Sequence, residues 1–355
     1  MLVVSLVVPA SAVAETGGSV EPKVVGGTTA STGTYPWQGA VVFSQAQYPS
    51  LNAHQRQFCG GSLVTSRIVI TAAHCVFDTD PDCFLLCAIS DPGGDGTARL
   101  DPNDVDVVLG RTTLSGSDGA EIPVQAVAYR SSYNPDYQGD GVPRNDVGYL
   151  VLSGASGQGQ IKIAGADEGP LWDAGSPTVV SGWGTTSDSG GAKTQDTLRA
   201  ANLNVIDDAT CFSDYAIGLG QSDFDPQTML CAGTASGADS CFGDSGGPLQ
   251  APLAGGGYRL VGVVGWGEGC GDPSLPGVYT RVAGDLLRPQ IESDVAGLEA
   301  ANGLPSEGVV GSGALPLGAQ AAAANAHPFA KCKRIHNKKK RRRCIKKVRR
   351  KLQSG

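Results

Sequence analysis

The segment Gly243-Asp244-Ser245-Gly246-Gly247-Pro248 sets one hydroxyl between glycines. A serine hydroxyl is a weak nucleophile. To attack a carbonyl it needs a base, donors for the oxyanion that forms, and an exposed seat on a tight turn. Glycines on both sides permit that turn and let a second backbone approach closely. The same letters satisfy G-x-S-x-G, the nucleophile turn of α/β-hydrolases, whose histidine follows the serine. Only His327 and His336 follow Ser245, and both lie in a C-terminal appendage, so chain order argues against that arrangement.

The base must then lie upstream, at His54 or His74. His54 has Asn52, Gln55 and Arg56 around it and reads as part of a polar surface loop. His74 stands in Thr71-Ala72-Ala73-His74-Cys75, directly after the apolar run Ile68-Val69-Ile70, where a rigid strand end can fix an imidazole. Asp146 precedes Val147 and Tyr149-Leu150-Val151-Leu152, a strand that would draw its carboxylate inward.

The elements that position these groups are short strands. Runs rich in Val, Ile and Leu, such as Leu260 to Val264, recur between clusters of Gly, Pro, Asp and Ser, and no fixed repeat is present. This pattern predicts an all-β protein. Its 355 residues, 41% of them hydrophobic, suffice for one large domain or two modest ones. Asp285 to Ile291 is the best helix candidate, with Pro289 as its weakness. The charged, Gly-rich stretch from Asp80 to Gly96 reads as a long surface loop.

Five motifs, Val24-Val25-Gly26-Gly27, the 71–75 segment, Asn145-Asp146-Val147, the Asp239 to Pro248 segment and Gly265-Trp266-Gly267, occur in one order. In that order the chain resembles the chymotrypsin-like (trypsin family) serine proteases over about residues 24–294. The resemblance implies two six-stranded antiparallel β-barrels with the active site in the cleft between them and a short C-terminal helix. It implies a serine-type endopeptidase working through an acyl-enzyme, with no cofactor and no metal. His74 would be the base and acid, Asp146 would orient it, Ser245 would attack, and the N–H groups of Gly243 and Ser245 would form the oxyanion hole. Gly148 and Tyr149 depart from the family's usual residues, which predicts altered packing there.

The same resemblance places Asp239, six residues before the nucleophile, at the base of the S1 pocket, lined by Gly265, Trp266, Gly267 and Gly277. A buried carboxylate selects Arg or Lys at P1 because it needs a cationic partner. A surface aspartate in the loop Ser236 to Ser240, with a chymotrypsin- or elastase-like preference, is the competing reading. Gly265 stands for a usual serine and Phe242 for a usual glutamine, so neighbouring subsites should differ. Lys23-Val24 resembles an activation site: an activating protease would free the amine of Val24 to pair with Asp244. Cys59–Cys75, Cys211–Cys231 and Cys241–Cys270 are the implied disulfides. Cys83–Cys87 would close a local loop, and Cys332–Cys344 would clasp the tail.

The ends carry further expectations. Residues 1–14 form a short apolar stretch ending in Ala12-Val13-Ala14, the pattern of a signal peptide, although the usual basic start is missing. Residues 15–23 read as a pro-segment, 24–294 as the peptidase domain, 295–330 as a Gly/Ala-rich linker and 331–355 as a basic, Cys-containing tail. With ten cysteines the chain is expected to be secreted, extracellular and not transmembrane. The net charge of −7 hides a tail of +14 on a body of −21. Such a tail is either a solvated appendage or an anchor for a polyanion, namely cell-wall polymer, polysaccharide or nucleic acid. It could also turn back into an active site that prefers cations, while zinc at Cys332, His336 and Cys344 is disfavoured by the cations around it. Besides an endopeptidase on protein and peptide substrates, two readings compete: an esterase of small substrates, and a non-catalytic binding protein on a protease scaffold localised by the tail.

Overall fold

The computed structural model describes residues 24–77, 100–134, 143–188, 193–219 and 224–317. After β1 (Thr28–Thr29), six strands make the first barrel: β2 (Gln38–Phe43), β3 (Gln57–Leu63), β4 (Ile68–Thr71), β5 (Val105–Leu109), β6 (Ala120–Tyr129) and β7 (Gly148–Leu152). They close in the order β2-β3-β4-β7-β6-β5. Then β8 (Lys162–Ile163) leads to β9 (Pro177–Gly182), β10 (Arg199–Ile206), β11 (Met229–Gly233), β12 (Pro248–Pro252), β13 (Tyr258–Trp266) and β14 (Gly277–Thr280). The second barrel runs β10-β11-β14-β13-β12-β9, and pairing of β9 with β10 closes it. β1 adds to β10, and β8 joins β13 in parallel.

The strand pattern follows the sequence. β10 alternates, with Ala201, Leu203 and Val205 inside and Asn202 and Asn204 exposed, the period of two that a half-buried strand demands. β4, β5 and β7 are buried throughout, and their predominance of Val, Ile and Leu, broken in β5 by Asp106, is what a strand covered on both faces requires.

Among the described residues three α-helices accompany the barrels: α1 (Ala53–Arg56), α2 (Asp208–Leu219) and α3 (Arg288–Ala301). The C-terminal helix starts later and runs further than Asp285 to Ile291. Pro289 sits in its first turn, where the missing N–H has no helical partner to lose. Ile291 and Val295 bury its inner face. Tyr149, one of the departures noted above, sends its hydroxyl to Asp294 of this helix (2.7 Å). That bond ties the first barrel to α3.

The body does not end at 294, which corrects the expected linker. Residues 295–301 complete α3, and residues 303–317 run back over both barrels as a strap. Glu307 accepts from the Ser66 N–H (3.1 Å) at the turn after β3. Val309 and Gly311 pair with Ile163 of β8 (both 2.8 Å). Gly313 and Ala314 donate to Asp167 and buried Glu168 (both 2.8 Å), and Leu317 donates to Pro252 at the end of β12 (2.8 Å). Small residues read as flexible in isolation. Here they let the strap lie flat on Arg259, which is itself ion-paired to Glu168 (3.0 Å).

The signal-like stretch, the pro-segment, the Cys83–Cys87 loop and the tail with Cys332–Cys344 lie outside the described residues.

A side chain at Gly311 would place its Cβ 2.1 Å from Arg259 Nε. Gly311→Val should lift the strap and cost about 1–3 kcal/mol, or roughly 2–5 °C in Tm at this size. Gly308→Ala, with open space at its Cβ, should leave Tm unchanged. Calorimetry of both variants checks this, and equal Tm values would contradict a docked strap.

Candidate active site

β4 pairs antiparallel with β7, with Thr71 opposite Gly148. That register brings the residues just after β4 against those just before β7, and so His74 against Asp146. Asn145 takes a positive φ of 55°, which asparagine tolerates better than most residues. Its side chain anchors to the Ser132 carbonyl (2.8 Å), and the turn points Asp146 inward. The Asp146 carboxylate is buried and receives two donors from one residue. These are the His74 backbone N–H (2.9 Å) and His74 Nδ1 (2.7 Å). With Nδ1 donating, Nε2 is left as the acceptor that a hydroxyl needs. Burial pulls the His74 pKa down, but the charge and hydrogen bond of Asp146 outweigh it, and the net direction is upward from the ordinary value.

Ser245 stands in a turn closed by Asp244 N–H to Cys241 (2.9 Å) and Gly247 N–H to Asp244 (2.9 Å). Gly243 and Gly246, at φ of 93° and 78°, supply backbone angles that other residues rarely adopt. Gly60 N–H holds the Ser245 carbonyl (2.7 Å). A Cβ on Gly246 would strike Thr71 Oγ1 and the Ala72 backbone, so the turn lies flat on the strand end that leads to His74. Thr280 of the second barrel also donates to the Asp146 carbonyl (3.1 Å). The structure thus brings His74, Asp146 and Ser245 to the junction of the barrels. His54 is not among them. It sits half-buried in α1, with Nε2 on the Thr194 carbonyl (3.0 Å), not in a free surface loop.

Thr185 N–H binds the Phe242 carbonyl (2.7 Å). In a trans peptide the N–H points opposite to the C=O, so the Gly243 N–H faces away from Thr185. The Ser245 N–H is turned likewise by the bond from Gly247 to the Asp244 carbonyl. The Phe242 ring itself is 63% exposed beside this turn.

Asp239 is buried, and among the described residues only N–H and hydroxyl groups donate to it, including Ser240 N–H (2.8 Å) and Gly271 N–H (3.2 Å). Burial pushes its pKa up to about 6 against those donors. A Cβ on Gly277 would lie 2.4 Å from its Oδ1. Gly265 and Gly267 flank Trp266 on the facing strand, and Tyr215 packs edge-on against Trp266 with centroids 4.7 Å apart. Disulfide Cys241–Cys270 joins the two sides, while Cys59–Cys75 braces the His74 turn and Cys211–Cys231 ties α2 to β11. Cys59, His74 and Cys75 lie close enough to suggest a metal site, but both sulfurs are consumed in one disulfide.

Asp244 is also buried, held by Gly184 N–H (2.8 Å) and Cys241 N–H (3.0 Å). Burial drives its pKa up to about 7. Gly182 and Gly184 leave the space it occupies: a Cβ on either would lie 2.1–2.5 Å from its carboxylate. Sequence reading missed these two, although Gly182-Trp183-Gly184 repeats the Gly-Trp-Gly pattern of 265–267. Val24 is buried, Val25 accepts from the Asp239 N–H (3.0 Å), and Gly26 packs on Ala238. Residues 24–26 therefore run beside the Asp239 loop. With Lys23 still attached, its nitrogen is a neutral amide.

A family model described as Trypsin matches residues 24–287. The chain is 34% identical over 273 residues to a trypsin of Saccharopolyspora erythraea, covering 76% of this chain and 99% of that protein. It is equally identical over 263 residues to trypsin-1 of Astacus astacus, covering 73% and 95%. Among solved structures it is similar to neuropsin, a serine protease expressed in the limbic system of mouse brain, with TM-score 0.56 and 27% identity over 76% of this chain and 98% of that one. The chain belongs to the trypsin family of serine proteases, and it is a serine-type endopeptidase acting on protein substrates. Among the described residues, no helix is long and apolar enough to cross a membrane.

Proposed function

We propose that this endopeptidase cleaves after Arg or Lys, that it is made as a precursor activated between Lys23 and Val24, and that it is secreted. The observation that carries the specificity is Asp239, a carboxylate 4% exposed with no cation on it among the described residues. A P1 guanidinium or ammonium entering between Gly267 and Gly277 supplies that partner. In the reaction, Ser245 Oγ attacks the scissile carbonyl as His74 Nε2 takes its proton. The N–H groups of Gly243 and Ser245 bind the oxyanion, each such donor being worth about 3 kcal/mol. His74 then returns the proton to the departing amine, and water repeats the cycle on the acyl-enzyme. Asp146 holds the imidazole in the tautomer that both steps need.

Export is supported by three disulfides in the body, since such bonds persist in oxidising compartments. The charge of the tail fits retention on a polyanionic surface, with the strong salt dependence that counter-ion release imposes.

Asp239→Ser should lower kcat/KM for an Arg substrate by roughly 2–5 kcal/mol, or about 30-fold and more, and spare an apolar P1 substrate; unchanged Arg turnover would reject the assignment. Because only neutral His74 accepts a proton and its pKa is raised, kcat/KM should fall with acid on a limb centred above about 6.5. A limb centred near 5 would place the base elsewhere.

In the uncut chain Asp244 and Asp239 have folded pKa values above the ordinary carboxylate range. Their contribution to stability is thus complete below about pH 4 and is lost as pH rises through about 6 and 7. The ammonium of a freed Val24 would offset this loss. A Lys23→Gln protein that remains uncut should be nearly inactive and less stable at pH 8 than the cleaved enzyme. Full activity of the uncut protein contradicts the precursor reading.

A further inference from the structure

The turn that presents Gly243 and Ser245 is pinned at three successive peptides. Thr185 N–H holds the Phe242 carbonyl (2.7 Å) and Gly247 N–H holds the Asp244 carbonyl (2.9 Å). The carbonyl between them, that of Gly243, has a side-chain partner. Gln57, the buried first residue of β3, donates its Nε2 to it at 2.8 Å. The same amide nitrogen donates to the Cys59 carbonyl at 3.1 Å. Both donor hydrogens are used, so the amide orientation is fixed: turned over, its oxygen would face two carbonyls. The cost of this orientation is visible. Gln57 Oε1 is buried with no hydrogen-bond partner among the described residues, and an unpaired buried acceptor destabilises a fold. The side chain is held where its nitrogen serves Gly243 and Cys59 while its oxygen has no partner among the described residues.

Gly243 makes such a brace useful. At φ 93° and without a Cβ it has, like Gly246, backbone freedom that the surrounding bonds must restrict. A Cβ on it would meet the Thr194 methyl at 3.1 Å, the Gly184 backbone at 3.3 Å and Gln57 Oε1 at 3.7 Å. Thr194 is in turn held by His54, through its carbonyl and its hydroxyl (3.0 and 3.2 Å). The first barrel therefore reaches across the cleft with two side chains, Gln57 and His54, to the segment that carries an oxyanion donor of the second barrel. A donor that shifts or rotates by a fraction of an ångström loses much of its preference for the transition state.

We infer that Gln57 is a positioning residue for the oxyanion hole, locking the Gly243–Asp244 peptide so that the Gly243 N–H stays aimed at the developing oxyanion. This rests on the reading of Gly243 and Ser245 as the oxyanion donors. Gln57 does not touch substrate, so its loss should weaken binding of the tetrahedral state and leave ground-state binding alone.

The test compares two inhibitors of one peptide in the cleaved, full-length enzyme. A peptide argininal adds Ser245 Oγ to its carbonyl carbon; the π pair becomes the oxyanion and the hydroxyl proton passes to His74. The matching argininol fills the same subsites and forms no oxyanion. Gln57→Met keeps nearly the same volume and removes the donor. It should weaken argininal binding and lower kcat by roughly five- to tenfold, the size of one hydrogen bond, with KM and argininol binding within about twofold. If that variant does not fold, Gln57→Ala carries the same comparison. An argininal-to-argininol ratio equal to wild type, or equal losses for both inhibitors, overturns the role of Gln57. A wild-type enzyme that binds argininal no better than argininol overturns the oxyanion reading itself, and the role of Gln57 with it.

Discussion

Negative charge buried at the junction of two barrels is the constraint around which this molecule is arranged. Asp146, Asp239 and Asp244 are 1%, 4% and 1% exposed, and a carboxylate out of water is stable only with partners. Each has a different kind of partner. Asp146 has His74, which supplies a backbone N–H and a ring nitrogen. Asp239 has backbone N–H groups and the Ser240 hydroxyl. Asp244 has two N–H groups, and the pKa of about 7 that burial gives it shows how incomplete that set is. Under the proposed function, a base, a specificity and a switch are one problem of electrostatics solved three ways.

The fold is what keeps these solutions separate. Antiparallel pairing of β4 with β7 sets the His74–Asp146 contact within the first barrel. The serine turn belongs to the second, and Gly60, Thr280 and Gln57 tie the halves across the cleft. Far from the site, α3 and the strap fasten the same two barrels. Tyr149 reaches Asp294, and Glu307 bonds Ser66 while Leu317 bonds Pro252. Relative movement of the barrels would disturb the line from Asp146 to Ser245, so bonds that cross between them bear on chemistry as well as stability.

Much of this was legible in the sequence, for reasons that differ by feature. Strand positions followed from alternation and apolar runs, and the order of His74, Asp146 and Ser245 excluded the competing architecture. Small apolar-flanked motifs are local, and local information survives in a linear string. What failed was non-local. The Gly- and Ala-rich residues after 294 read as a linker because their value lies in lying flat on Arg259, a residue some fifty positions earlier in the chain. Pro289 looked like a helix breaker because its position in the first turn depends on where α3 begins. Gly182, Gly184 and Gln57 carry no chemistry of their own, and only their contacts with Asp244 and Gly243 reveal them. His54 was misplaced for the same reason: its partner, Thr194, is 140 residues away.

The central claim is that buried Asp146 orients His74 so that Ser245 becomes nucleophilic. The rate at which a fluorophosphonate modifies the cleaved enzyme and its Asp146→Asn variant, with peptide mapping of the adduct, reads this directly. The account predicts one adduct per chain, on Ser245, and a fall of about 10⁴-fold in rate when the asparagine forces the wrong tautomer. Modification of the variant at the wild-type rate, or an adduct on a different residue, would contradict it.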